Sequence, residues 1–168
     1  MTNSDILPLS TEQQNRFIAQ VYEIVFKRKE TGSDEEVAVK IRSKVSQFFS
    51  SDYRQDSNDV TFDYDQFVCH VGDVNSRSDA NFGIQFLANG TSKDGLNQVV
   101  TRTVVTDAAS GKALSIVLSC WEFNDEPKLV RNRETLADPS DPSSPDYEAD
   151  PCGSLVDAAE WVADVEIS

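Results

Sequence analysis

The chain has 168 residues, with 29 acidic residues against 15 basic ones and a net charge of −14. A surface this acidic repels nucleic acid and anionic lipid, and no basic stripe offsets it, so partners of both kinds are expected to be absent. The length suits one domain burying roughly 70% of its unfolded surface, and no opening apolar run is long enough for a signal peptide or membrane span, which predicts a soluble cytoplasmic protein.

Three helices are predicted first, each opened by a capping box. Ser10-Thr11-Glu12-Gln13 starts one whose apolar stripe is Phe17, Val21, Ile24 and Val25 and which fades near Thr31-Gly32. Ser33-Asp34-Glu35-Glu36 starts the second, with Val37, Ile41, Val45 and Phe48 along its face, and Ser50-Ser51-Asp52 stops it. Tyr53-Arg54-Gln55 reads as a short edge strand. Asp63-Tyr64-Asp65-Gln66 opens the third helix, which buries Tyr64, Phe67, Val68, Val71 and Val74 and ends near Asn75-Ser76-Arg77.

From residue 81 the period falls to two. Phe82, Ile84 and Phe86 share one side of a strand, and Asn89-Gly90 begins a turn region. Gln98 to Thr106 is a β-branched strand. After Ala108-Ala109-Ser110-Gly111, Ser115, Val117, Ser119, Trp121 and Phe123 alternate with Leu114, Ile116, Leu118 and Cys120. Leu129 to Thr135 is the last strand, and the short turns predict an antiparallel meander. Four of the six prolines fall in the acidic linker 138–153. The end, SLVDAAEWVADVEIS, is read as a short helix that either docks on the domain or stays loose. The predicted division is therefore a domain over 1–137 and a tail over 138–168.

Helices followed by an antiparallel run is an α+β order. Such a sheet can curl around its helices into a cone whose mouth is a small-molecule pocket. The stretches FFSSDYRQDS, FDYDQFVCHVGDVNSR, TRTVVTDAASGKALSIVLSCWEFND and PKLVRNRET carry a resemblance across about residues 10–136. In element order and spacing they resemble the SnoaL-like polyketide cyclases of the nuclear transport factor 2-like superfamily. The acidic turn Asn124-Asp125-Glu126-Pro127, the strand start Lys128-Leu129-Val130 and the later acid Glu134 match that family's usual close. The resemblance implies three helices on a curved antiparallel sheet with a central pocket, and a homodimer across the open sheet face. It also implies acid–base chemistry on small lipophilic molecules without metal or organic cofactor.

His70 is the only histidine. It sits on the polar border of the third helix, on a flank shared with Asp63, Gln66 and Arg77. It is either a proton carrier oriented by Asp63 or a strand carboxylate, or a boundary residue satisfied by a carbonyl or by Asp73. Glu134 shares a strand side with Val130 and Asn132. If that side faces inward, burial raises its pKa and makes it a general acid or base; if not, it pairs with Arg131 or Arg133. Tyr53 is placed at the pocket rim, with a phenol able to polarise a substrate oxygen. Trp121 is either a flat wall for a ring or a core residue. Phe67, Phe86 and Arg102 complete the candidates for substrate contact, Arg102 either facing solvent on the open sheet or pairing with a pocket acid.

The sequence contains no Gly-rich phosphate loop, HExxH or GxSxG. Its three cysteines show neither disulfide nor zinc spacing. Adjacent Cys69 and His70 point about 100° apart on a helix and form no dyad. No cofactor or metal is therefore expected. Two functions stand open: an isomerase or cyclase acting on a polyketide- or terpenoid-like molecule, with His70 and Glu134 exchanging protons, or a non-catalytic ligand-binding or dimerisation module.

Overall fold

The computed structural model describes residues 8–140 apart from residue 78, together with the backbone of Val156–Asp157. All three capping boxes form. Ser10, Ser33 and Asp63 accept from the backbone N–H groups of Gln13, Glu36 and Gln66 at 3.2, 3.2 and 2.9 Å. Each of those third residues returns a side-chain oxygen to the cap's own N–H. Two otherwise orphaned donors are satisfied at each helix start, which fixes where α1 (Thr11–Gln20), α2 (Asp34–Phe48) and α3 (Tyr64–Asn75) begin.

α1 runs without a break into a π-helical segment, Val21–Lys27, whose end is tied by Arg28 N–H to Glu23 C=O at 3.1 Å. The wider turn buries Val21, Tyr22, Ile24 and Val25 together.

The sheet comprises β1 (Phe49–Ser57), β2 (Val60–Phe62), β3 (Ala80–Thr91), β4 (Asn97–Asp107), β5 (Ala113–Phe123), β6 (Leu129–Ala137) and the two-residue β7 (Val156–Asp157). Their order across the sheet is β2-β1-β6-β5-β4-β3-β7, and it stays open. The β3–β6 meander is antiparallel, as its short turns require. Register shifts in β3/β4, β4/β5 and β5/β6 mark irregularities of the kind that bend a sheet. The helices pack on the face that carries Ile84, Val99, Trp121 and Phe123. The fold is thus α+β, with three helices against a curved sheet.

Four local readings change. Tyr53-Arg54-Gln55 is not an edge strand: β1 lies between β2 and β6 and runs parallel to β6. A parallel pair needs a long crossover, and here everything between β1 and β6 supplies it. Ser50-Ser51-Asp52 lies inside β1, because α2 passes directly into the strand at Phe49. Asn89-Gly90 continues β3 opposite Val99 and Gln98, and the turn comes later, around Gly95 at φ +79°. The Asn89 amide donates to the side chains of Gln14 and Asn15 at 3.0 Å each, holding β3 against α1. The proposed C-terminal helix lies largely outside the described residues; within it, Val156 and Asp157 pair as a strand with Ile84 and Gly83.

Candidate active site

The parallel β1–β6 register builds the floor of the site. Gln55 lies opposite Asn132 and Ser57 opposite Glu134, while β5 brings Trp121 and Ser119 to the other side of those two residues. Strand alternation sends these side chains to the helix side and leaves Arg131 and Arg133 outside, where they pair with Asp56 and Glu122 at 3.1 and 2.7 Å. Glu134 therefore takes the inward alternative.

Its carboxyl is held by three donors. Gln55 Nε2 and Ser57 Oγ donate to Oε1 at 3.1 and 2.5 Å, and Asn132 Nδ2 donates to Oε2 at 3.2 Å. Tyr53 Oη donates to Gln55 Oε1 at 2.8 Å, so the phenol supports Glu134 through the amide. Burial pushes the Glu134 pKa up, and this outweighs the hydrogen bonds that favour its anion. Ser119 and Asn132 are both buried beside this carboxyl.

Above the floor opens a cavity of about 320 Å³. Tyr22, Phe26, Phe82 and Trp121 give it aromatic walls. His70, Val74 and Arg77 of the α3 side, and Leu114 and Leu136 of the sheet, also line it. The exposed Arg77, Leu114 and Leu136 mark its mouth. His70 and Glu134 thus border one apolar space.

The His70 ring stacks on Phe62, with centroids 5.4 Å apart and planes at 24°. Burial lowers its pKa and the Arg77 guanidinium lowers it further, against a weaker pull from Asp73. Asp63 does not orient it, because that carboxylate is spent on the Gln66 N–H as the α3 cap.

Tyr53 is not at the rim. It is 1% exposed, packed on Phe49 and Phe67 beneath the cavity. Tyr22 stands in the cavity wall instead. Its Oη accepts from Thr103 Oγ1 at 3.2 Å, and burial drives its pKa well up. On a helical wheel Tyr22 lies well away from Phe17 and Ile24, so the apolar stripe does not single it out.

Trp121 is both core and wall: 1% exposed, it lines the cavity while its indole N–H donates to Thr101 Oγ1 at 3.0 Å. Phe67 is fully buried among Phe26, Phe49 and Tyr53 and does not reach the cavity. Phe86 packs beside the core rather than in the cavity wall, where Phe82 stands instead. Arg102 lies between inward Thr101 and Thr103, so it projects from the opposite, outer sheet face. Among the described residues no group of three or more His, Cys, Asp or Glu is arranged to hold a metal ion. None of their helices is long and apolar enough to cross a membrane.

No family model matches the chain, and no curated protein matches it significantly in sequence. Solved structures resemble it in fold. A SnoaL-like family protein from Agrobacterium tumefaciens is similar over 76% of this chain and 99% of its own, at 9% identity and a TM-score of 0.49. The de novo designed NTF2 fold protein NT-9 is similar over 79% and 90%, at 17% identity and a TM-score of 0.47. An LEH-like epoxide hydrolase of Mycobacterium tuberculosis is similar over 74% and 84%, at 8% identity and a TM-score of 0.46. These are likenesses of fold, and none assigns a reaction to this chain.

Proposed function

We propose that the chain is a cofactor-free acid–base enzyme acting on a lipophilic small molecule, of the isomerase or cyclase kind. One observation carries the reading: Glu134 and His70 line the same apolar cavity and are pushed toward their neutral forms from opposite directions. A neutral imidazole can accept a proton while a neutral carboxyl gives one, which is what an acid and base pair requires. Neutral His70 takes a proton from substrate carbon, and the electron pair moves into an adjoining carbonyl. Tyr22 Oη donates a hydrogen bond to that oxygen. Protonated Glu134 delivers its proton at the far end of the conjugated system. The imidazolium then returns a proton to the carboxylate through water, and both groups regain their starting state.

The test is to incubate wild-type protein with lipophilic metabolite extracts and compare species by mass spectrometry against Glu134→Gln. Wild type should consume at least one species, and the variant should do so about 10²–10⁴-fold more slowly, the usual contribution of a placed acid or base. A second reading, a pure binding module, is favoured by the three donors around Glu134, a pattern that also suits a purely structural carboxylate. It prevails if species are retained by the protein but none is converted, with wild type and variant alike.

A further inference from the structure

The cavity wall is apolar almost throughout, yet a permanent charge stands at its mouth. Arg77 lines the opening, and no carboxylate among the described residues pairs with it. Acids are abundant in this chain, and Arg16, Arg42, Arg131 and Arg133 each have one within 3.1 Å. Among the described residues Arg28 and Arg54 also lack such a partner, but neither borders the cavity.

The backbone that carries Arg77 is fixed. Lys29 Nζ donates to the carbonyls of Val74 and Arg77 at 3.0 and 2.7 Å, capping the end of α3. Asn75 and Glu30 exchange two further bonds, Glu30 N–H to Asn75 Oδ1 at 2.7 Å and Asn75 Nδ2 to Glu30 C=O at 3.2 Å. A cation is thus held on the rim of a mostly apolar hollow, in a protein whose net charge of −14 otherwise repels anions.

We infer that the ligand of this cavity is an amphipathic monocarboxylate, its apolar body against Tyr22, Phe82 and Trp121 and its carboxylate on the Arg77 guanidinium. A guanidinium meets a carboxylate through two parallel N–H···O bonds, which fixes the ligand's direction as well as its affinity. The reacting end then lies inward, toward Glu134, and the anion stays at the solvent edge. The volume holds on the order of ten water-sized groups, which limits the body to about that many non-hydrogen atoms. The inference rests on the cavity being the ligand site, as proposed above, and not on any turnover.

His70 supplies the readout, because it is the only histidine and gives a single set of ring resonances. It faces Phe62 of β2 and the charges of Asp73 and Arg77 on and beside α3. Decanoate, methyl decanoate and decanol are titrated into the full chain by proton NMR, with dissociation constants from the shifts. Decanoate should bind at least tenfold more tightly than the ester or the alcohol, and it should raise the His70 pKa by neutralising Arg77. Arg77→Gln should erase the tenfold preference while leaving methyl decanoate unchanged. Arg54→Gln, on the exposed outer side of β1, should keep the preference. Equal binding of acid and ester by wild type overturns the inference and leaves the cavity reading standing. A preference that survives Arg77→Gln, or that Arg54→Gln also removes, overturns it as well. If none of the three probes binds, the inference and the cavity reading fall together.

Discussion

Glu134 and His70 feel the same apolar surroundings but titrate in opposite senses, and two measurements follow from that. Between the ordinary glutamate value of 4.5 and the raised folded value, the folded chain holds a proton that the unfolded chain has lost. Stability contributed by Glu134 is therefore present below 4.5 and is lost as pH rises through the folded value. For His70 the unfolded chain holds the extra proton, between the lowered folded value and 6.5, so stability rises with pH across that window. Urea unfolding at a series of pH values should show Glu134→Gln removing the first slope and His70→Asn the second. Turnover should follow a bell-shaped pH profile, because it needs one of the two groups with its proton and the other without. Phe67 gives a contrast. Buried beside Tyr53 and away from the cavity, Phe67→Ala should cost about 3–5 kcal/mol in urea unfolding, through the void it leaves.

At the scale of elements, the helix starts were legible because each is a local chemical device. Ser10, Ser33 and Asp63 need only a partner three residues away, so no tertiary knowledge is required to see them. Ser33→Ala should lower stability by about 1 kcal/mol in urea unfolding, and Ser33→Asp should retain it. The meander was legible through its alternation, down to Trp121 facing inward. What remained hidden was non-local. The parallel neighbour of β1 is contributed by a strand 79 residues away along the Gln55–Glu134 bond, and no short-range pattern names it. Glu134 facing inward was nonetheless half-visible. Arg131 and Arg133 flank Asn132, and two arginines on one parity of a strand in an acidic protein mark the wet side. Tyr22 is hidden for a different reason: on a helical wheel it lies only at the edge of the stripe formed by Phe17, Val21, Ile24 and Val25.

For the molecule as a whole, charge is the dominant global term outside the core. A net charge of −14 on 168 residues is a self-repulsion that the fold must overcome. Raising ionic strength from low salt to physiological salt shortens the Debye length to about 8 Å. The midpoint of thermal unfolding should therefore rise with added sodium chloride. The exposed ion pairs, such as Arg42–Asp65 at 3.0 Å, are too weak to reverse that trend when salt screens them. A midpoint that falls with salt would show that local pairs outweigh the global field.

The register that places Ser57 and Gln55 beside Glu134 also sets a timetable. Helices and hairpins of this chain close over short loops, but the carboxyl's cradle joins two segments 77 residues apart. Contacts of such separation are costly to form early, because loop closure precedes their reward. On the ribosome, β1 waits with an unsatisfied flank until β6 has emerged. In that interval it is an open template for a stray strand, and a substitution that slows β6 should surface first as aggregation of nascent chains.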